Sequence, residues 1–532
     1  MSYAIDFGTS NTVITRWNPA TEKPEVVSLR GISHRVAQNP DLIPSLVYVE
    51  QAAQEQVLIG QQVCDRGLDI QADPRFFRTF KRGIGSDIQG FLPELDGQTV
   101  SFEQVGRWFL VNLMQQLKTN NPDAGDSLVL TVPVDSFETY RHWLGGVCQD
   151  LGVEQVRMLD EPTAAALGYG KADQETLLVV DFGGGTLDLS LVQLGTESQS
   201  KTQPLGFILK WGEKNLAETS NQRPKTARVL AKAGQNLGGT DLDNWLMDHF
   251  AKSQQLPVTP LTQRLAERLK IQLSLQPKAT EVYFNEETFD SYELTLDRSQ
   301  FEEILREHQF FDRLDTSMEQ VLQQARRQGL TVEDIDAVLL VGGTSLIPAV
   351  QTWVKQYFDE GKICSSRPFD AIATGALQVT QGLEVKDFLY HSYGIRYWDR
   401  QNNCHNWHPI IPAGLPYPMN EPIEISLGAS MEVQPSIELI IGELGDAMGG
   451  TEVYFDGDRL VTRQLSEQQQ VQTLNDREGA RSIAELKPPG YPGCDRIKVS
   501  FLVDEQRSLR LSVEDLLTQD TLMENQVVAQ LS

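Results

Sequence analysis

The chain has 532 residues, enough for roughly two to four domains with ample core. Hydrophobic residues make up 40% and charged residues 22%, an ordinary globular balance, and no apolar run approaches the ~18 residues of a membrane span. The net charge of −27 argues against nucleic acid or an anionic membrane as main partner, and five scattered cysteines without a C-x-x-C pair fit a reducing cytoplasm.

The N-terminus enters a strand at once, with no signal peptide ahead of it. Ala4-Ile-Asp-Phe-Gly-Thr-Ser-Asn-Thr12 reads as strand, Asp-Phe-Gly, turn, then a second apolar strand at Val13 and Ile14. Asp41 to Tyr48 reads as a strand entered through proline, and Val57 to Gly60 as a short apolar run before a helix. Phe76 to Gly85 carries three basic residues, two of which, Lys81 and Arg82, stand beside a glycine turn. Gln104 to Leu117 has helical spacing, Ser127 to Val134 is a buried strand ending at Pro133, and Phe137 to Leu151 is a helix. Val156 to Leu159 is a strand, and Asp160-Glu-Pro-Thr-Ala-Ala-Ala-Leu167 opens a helix with Pro162 in its first turn. Glu161 therefore sits at a strand-to-helix junction.

Leu177 to Asp188 repeats the first pattern: an apolar strand, Asp181, the triplet Gly183, Gly184 and Gly185, then Thr186 and an alternating second strand. Successive N–H groups in such a turn form an anion-binding concavity, Asp181 is placed to hold a hydrated Mg²⁺, and Thr186 to bond a phosphate oxygen. Two such hairpins suggest a duplicated architecture with one phosphate loop per lobe. Gly195 to Arg228 reads as a polar excursion around an apolar patch, Leu205 to Trp211. A Gly-Gly turn at Gly238 and Gly239 precedes a helix from Thr240 to Phe250. Leu261 to Leu275 is amphipathic, with Glu267, Lys270 and Ser274 on one face. One or two helices fill Arg298 to Arg327. Asp336 to Ser345 is a strand ending in a further Gly-Gly turn, Gly342 and Gly343, and Ile347 to Phe358 and Ala371 to Leu377 are helices. Alternating strands and helices imply an α/β class with mixed sheets. After about Glu384, short strands separated by Pro, Gly and Asn take over: Tyr393 to Trp398, Pro422 to Leu427, Ile437 to Ile441, Thr451 to Tyr454, Arg496 to Val503 and Leu509 to Val513. That is the pattern of an antiparallel β domain, with Gln464 to Gly479 as a polar loop.

Together these motifs resemble the 70-kDa heat-shock chaperones of the DnaK type. The pieces occur in family order: Ile5 to Thr12, Phe80 to Gly85, Thr131-Val-Pro133, Glu161 to Leu167, Asp181 to Thr186, Leu237-Gly-Gly-Thr-Asp-Leu-Asp243 and Leu340-Val-Gly-Gly-Thr344. The resemblance implies an actin-like ATPase over 1–382, with lobes at about 1–172 and 173–382 around a nucleotide cleft. A linker at 383–391 and a β-sandwich for substrate at 392–532 would follow, with no room for the family's helical lid. It implies ATP/ADP and Mg²⁺ as ligands. Gly8, Thr9, Ser10, Asn11 and Gly183 to Thr186 would grip the phosphates, and Asp6, Asp181 and Asp188 would surround a hydrated Mg²⁺. Lys81 would lie beside the γ-phosphate and attacking water, and Glu161 would link nucleotide state to lobe closure. Pro133 and Arg141 match a relay pair. Glu267, Lys270 and Ser274 would clasp the adenosine, with Gly342 and Gly343 flanking it, and Gly238, Gly239 and Ser345 would also contact the nucleotide.

Departures from the family pattern fall at Leu346, where an arginine would stack on adenine, at Ile271 and at Phe369, which implies weaker nucleotide binding or looser base selectivity. Glu384 and Lys386 place charges inside the linker run, which implies weak interdomain coupling. The implied function is ATP-dependent binding of unfolded or extended polypeptide, with J-domain and nucleotide-exchange co-chaperones as partners, in the cytoplasm. The alternatives weighed are a nucleotide-sensing adaptor with one dedicated partner, an actin-like cytoskeletal ATPase, which lacks the Phe80 to Gly85 motif and the β domain, and a sugar kinase, for which no sugar pocket is marked.

Overall fold

The computed structural model describes residues 2–531 apart from 36–38, 87, 90–91, 122–126, 134–137, 154, 171–175, 197–208, 212–224, 286–287, 382–388, 390–391, 400–403, 413–414, 416, 420, 445–450, 457–458, 465–470, 476–481 and 505–506. The chain divides into two compact units: 1–385 with 451–463, and 386–450 with 464–532.

The first unit is built twice on one plan. Strands β1 (Ser2–Phe7), β2 (Asn11–Asn18) and β3 (Lys23–Val26) form an antiparallel meander. After helix α1 (Phe102–Asn120), β4 (Ser127–Val132) lies parallel to β1. After α2 (Glu138–Asp150), β5 (Gln155–Asp160) lies parallel to β4, and α3 (Glu161–Gly168) follows. The second half repeats this order. Strands β6 (Thr176–Phe182), β7 (Leu187–Thr196) and β8 (Lys225–Gln235) form the meander. Helices α4 (Gly239–Gln254) and α5 (Pro260–Leu275), hairpin β9 (Lys278–Phe284) with β10 (Ser291–Asp297), and helices α6 (Arg298–Glu307) and α7 (Phe310–Arg327) come next. Then β11 (Ala337–Val341) lies parallel to β6, α8 (Pro348–Val354) intervenes, β12 (Ile363–Cys364) lies parallel to β11, and α9 (Ala371–Gln378) closes the copy. Both sheets thus run third, second, first, fourth, fifth strand with the same senses, as the paired Asp-Phe-Gly hairpins suggest.

Local chemistry sets the helix starts. The Ser101 hydroxyl accepts from the N–H of Gln104, and Gln104 returns the bond to the N–H of Ser101, a capping box for α1. Asp160 accepts from the N–H of Thr163 at 2.8 Å and caps α3, with Pro162 in its first turn. The two closing helices cross where their side chains are smallest: a Cβ on Gly375 of α9 would overlap the carbonyl oxygen of Ala164, and one on Gly168 of α3 that of Ala371. One apolar core runs through Ala4, Val129, Leu159, Ala164, Val179, Leu339 and Leu377, joining strands of both sheets to α3 and α9. A larger core joins the second sheet to α4–α8 through residues such as Phe182, Leu246, Phe310 and Trp353.

The polar excursion is shorter than its sequence suggests, because β7 runs to Thr196 and β8 starts at Lys225. Within its apolar patch, Leu209–Trp211 pairs antiparallel with β5. The β9–β10 hairpin was not read from sequence. A second hairpin, Thr451–Asp456 with Arg459–Gln464, groups with the first unit, and its first strand pairs parallel with Ile88–Gln89.

The second unit is antiparallel β. One sheet orders β14 (Cys404–Ile411), β13 (Ser392–Asp399), β17 (Ile441–Leu444) and β18 (Val471–Thr473). The other orders β15 (Ile423–Gly428), β20 (Asp495–Val503), β21 (Ser508–Asp515) and β22 (Thr521–Gln530), and β16 (Gln434–Leu439) pairs with β19 (Ser482–Gly490). A single core, with Tyr393, Ile395, Leu439, Leu486, Val499, Phe501 and Leu511, fills the space between the sheets. Leu389, from the expected linker, is fully buried in this core, and its N–H bonds the carbonyl of Leu415 at 2.8 Å. The rest of that run, with Glu384 and Lys386, lies outside the described residues. Within the expected polar loop Gln464 to Gly479, Val471–Thr473 is instead a strand paired with β17. Its Val-Gln-Thr alternation was masked by surrounding glutamines.

Candidate active site

The duplicated hairpins bring their turns face to face. A Cβ on Gly185 would lie 2.5 Å from Thr9 Oγ1, and one on Gly184 would overlap Ser10 Oγ, so only glycine permits this approach. Among the described residues the backbone N–H groups of Thr9, Ser10, Gly184 and Gly185 meet no acceptor. Each turn is braced from behind. Ser45 Oγ donates to Gly8 O at 2.7 Å, and its N–H donates to Ser10 O at 2.9 Å. Gly239 N and Thr240 N, at the start of α4, donate to Gly183 O and Gly184 O at 3.0 and 2.9 Å, and Thr344 Oγ1 donates to Gly183 O at 2.8 Å. Gly342, at φ +80°, lets the third glycine turn pass against Phe182.

Asp6 and Asp181 occupy the same penultimate place in β1 and β6, and Asp188 stands across from Asp181 in the hairpin register. Glu161, at the head of α3, completes an acidic cluster. Burial and then the charge of Glu161 push the Asp6 carboxyl up to about 7, against Lys81 and a 3.0 Å hydrogen bond donated by Thr131. Burial, with Glu161, Asp188 and Asp6, pushes Asp181 well above the usual carboxylate range. Lys81 Nζ lies 3.3 Å from Glu161 Oε1 and donates to Phe7 O. Burial alone would lower the Lys81 ammonium, but the Glu161 and Asp6 carboxylates and the Tyr140 phenol hold it above its ordinary value.

This crowding of acids tests whether a divalent cation fits. The charge of one lysine does not balance it, so Mg²⁺ would relieve the repulsion. No three acidic, histidine or cysteine side chains among the described residues converge closely enough to ligate an ion directly. Mg²⁺ keeps most of its waters, and Asp6, Asp181 and Asp188 would touch it through them.

The other expected site residues are distributed as follows. Glu267 pairs with Arg78 at 3.3 Å, and one helical turn earlier Arg264 pairs with Asp69 at 2.6 Å. Lys270 Nζ bonds Asp243 at 2.7 Å and Gly239 O at 2.8 Å. Ser274 Oγ donates to Lys270 O and Ser345 Oγ to Gly342 O, so each hydroxyl is turned onto its own backbone. Leu346 is half-buried, Ile271 is 42% exposed, and the ring of Phe369 lies against Gly343. The Arg141 side chain of the expected relay pair lies outside the described residues.

One residue was missed. Arg82 was read only as a second base beside Lys81, yet its side chain is 2% exposed and spans both halves. Its Nε donates to Gly185 O at 3.0 Å, and Nη2 meets Asp241 Oδ2 at 2.6 Å. Asp241 Oδ2 in turn accepts from Gly238 N at 2.7 Å. Lys81 is thereby fastened, through its neighbour, to the second glycine turn and to the start of α4.

The family described as Hsp70 protein matches residues 85–199 and 226–399. The chain belongs to the Hsp70 family. It is 25% identical over 536 residues to the chaperone protein DnaK of Thermosipho melanesiensis, across 96% of this chain and 78% of that one. The DnaK of Thermosipho africanus gives 25% over 536 residues, with 96% and 77% covered. The DnaK of Thermotoga maritima gives 25% over 546 residues, with 96% and 78% covered. The protein is thus a chaperone of the Hsp70 family, whose members are ATPases. No helix among the described residues is long and apolar enough to cross a membrane.

Proposed function

We propose that the first unit is a two-lobed, actin-like ATPase that binds Mg²⁺·ATP between its two glycine turns and hydrolyses it. The observation that carries this reading is the meeting of Thr9 and Ser10 with Gly184 and Gly185 beside one lysine and four carboxylates. The turn N–H groups of Gly8 to Asn11 and Gly183 to Thr186 donate to phosphate oxygens, and the Thr186 hydroxyl adds a further donor. Asp6, Asp181 and Asp188 hold the waters of the ion. A Mg²⁺ held there would neutralise charge developing on the phosphates. Lys81 orients the terminal phosphate beside the attacking water, and Glu161 fixes Lys81. Phosphoryl transfer to water needs mainly positioning and charge stabilisation, which these groups supply. Glu267, Lys270 and Ser274, with Gly238, Gly239, Gly342, Gly343 and Ser345, line the adenosine side, and Pro133 and Arg141 relay nucleotide state.

The second unit binds extended polypeptide. Support comes from β14, an edge strand among the described residues and largely exposed, and from Tyr397 and Trp398 beside it, 39% and 41% exposed. J-domain and nucleotide-exchange proteins are the fitting co-chaperones, and the cytoplasm the fitting compartment.

The test is single-turnover ATP hydrolysis with Mg²⁺. Lys81→Ala is expected to keep nucleotide binding and to lose ~10²-fold or more in rate, as loss of a preorganised charge does. Equal rates in variant and wild type would remove Lys81 from the mechanism.

A further inference from the structure

Tyr140 stands in the first turn of α2, and its side chain is 4% exposed. Its ring lies against Lys81, with 5.9 Å from Nζ to the ring centroid, and against Trp143, with 5.4 Å between centroids. Its hydroxyl is buried and has no hydrogen-bond partner among the described residues. A buried hydroxyl left unpaired is destabilising, so such groups normally hold a water. Phenylalanine would fill the same space without that cost.

The surroundings say what the water would meet. Lys81 is engaged by Phe7 O and Glu161, and Asp6 accepts from Thr131. Each carboxylate retains acceptor capacity, since an ionised carboxylate has about four lone-pair sites. The phenol ring lies against Lys81, which itself pairs with Glu161 at 3.3 Å, and burial pushes the hydroxyl up to about 12, so it stays protonated at neutral pH.

We infer that the Tyr140 hydroxyl positions the hydrolytic water, donating one hydrogen bond to it while the Asp6 and Glu161 carboxylates accept its protons. This rests on the hydrolase reading above. The water then has one lone pair on the phenol and the other free to attack the terminal phosphorus. The oxygen–phosphorus bond forms as the bond to the leaving diphosphate breaks, and the released proton passes to the carboxylates. Tyr140 exchanges no proton and acts by fixing orientation, which alone is a substantial share of such a barrier.

The experiment pairs Tyr140→Phe with Tyr140→Met, which removes the hydroxyl with a different shape. ATP affinity, single-turnover rate and melting temperature are measured for each. Expected are affinities within about twofold of wild type, rates about 10-fold lower in both variants, and a Tyr140→Phe melting temperature no lower than wild type. Wild-type rates in either variant would overturn the inference, because the oxygen would then be dispensable. Rate and affinity falling together would also overturn it, because the residue would then only shape the pocket. A wild-type protein that binds ATP and never turns it over would overturn the hydrolase reading itself, and this inference with it.

Discussion

Asp243 lies 2.7 Å from Lys270 and is almost wholly buried. Burial pushes its carboxyl up to about 6, against the pull of Lys270 and Arg78 and with Glu267 adding to the rise. Between about pH 4 and 6 the folded state therefore keeps a proton that the unfolded chain has released. Stability from this group is full below pH 4 and falls as pH rises through 6. Asp243→Asn removes that dependence. Denaturant unfolding at pH 4 and pH 7 is expected to show the variant gaining on wild type by on the order of 2–3 kcal/mol across that interval. Parallel curves would show that the carboxyl titrates at its ordinary value. Residues of this kind differ in how visible they are in sequence. Asp6, Lys81, Glu161 and Asp181 sit in local runs of Gly, Pro and Ala that mark them. Arg82 and Tyr140 do not, because their contacts are made across the fold: Arg82 reaches Gly185 and Asp241, 103 and 159 residues away.

At the scale of elements, the crossing of α3 and α9 is a close packing that neither helix reveals alone. By propensity, alanine at Gly375 would improve α9 by ~1 kcal/mol. At the crossing it would meet the backbone of Ala164 and Gly168, which cannot swing aside as a side chain can. Gly375→Ala is expected to destabilise the first unit by ~1–3 kcal/mol, as overpacking does. Gly146, exposed on α2 with open space at its Cβ, is the control, and Gly146→Ala is expected to gain a few tenths to ~1 kcal/mol. Equal melting shifts for the two would mean that the helices part easily. The paired hairpins were legible because glycine turns and apolar strands repeat. The β9–β10 hairpin was legible in principle, since Lys278 to Phe284 alternates exposed and buried residues without a break. It went unread because it lies between two strong helical patterns with no tight Asn-Gly turn to mark it. β18 and β22 are short or polar strands whose partners, not their own composition, define them.

At the scale of the molecule, the sandwich core around Phe501 and Leu511 and the cores around Phe182 and Leu339 are separate sets of residues. Units with their own cores can unfold independently, and a ligand that binds one native unit raises the stability of that unit alone unless the two are coupled. Leu389 is buried in the second core, so the stretch expected as a linker is partly consumed by one unit. Two calorimetric transitions are expected. Mg²⁺·ATP at ~100 times its dissociation constant should stabilise the first unit by ~2.7 kcal/mol and leave the other transition in place. Repeating the scans with an extended peptide should raise the second transition alone. The linked binding equilibria provide the check, because coupling between nucleotide and peptide must be reciprocal. If nucleotide moves both transitions, or merges them, the units share free energy, and the coupling read from the size of the second shift must equal the change that peptide makes in nucleotide affinity.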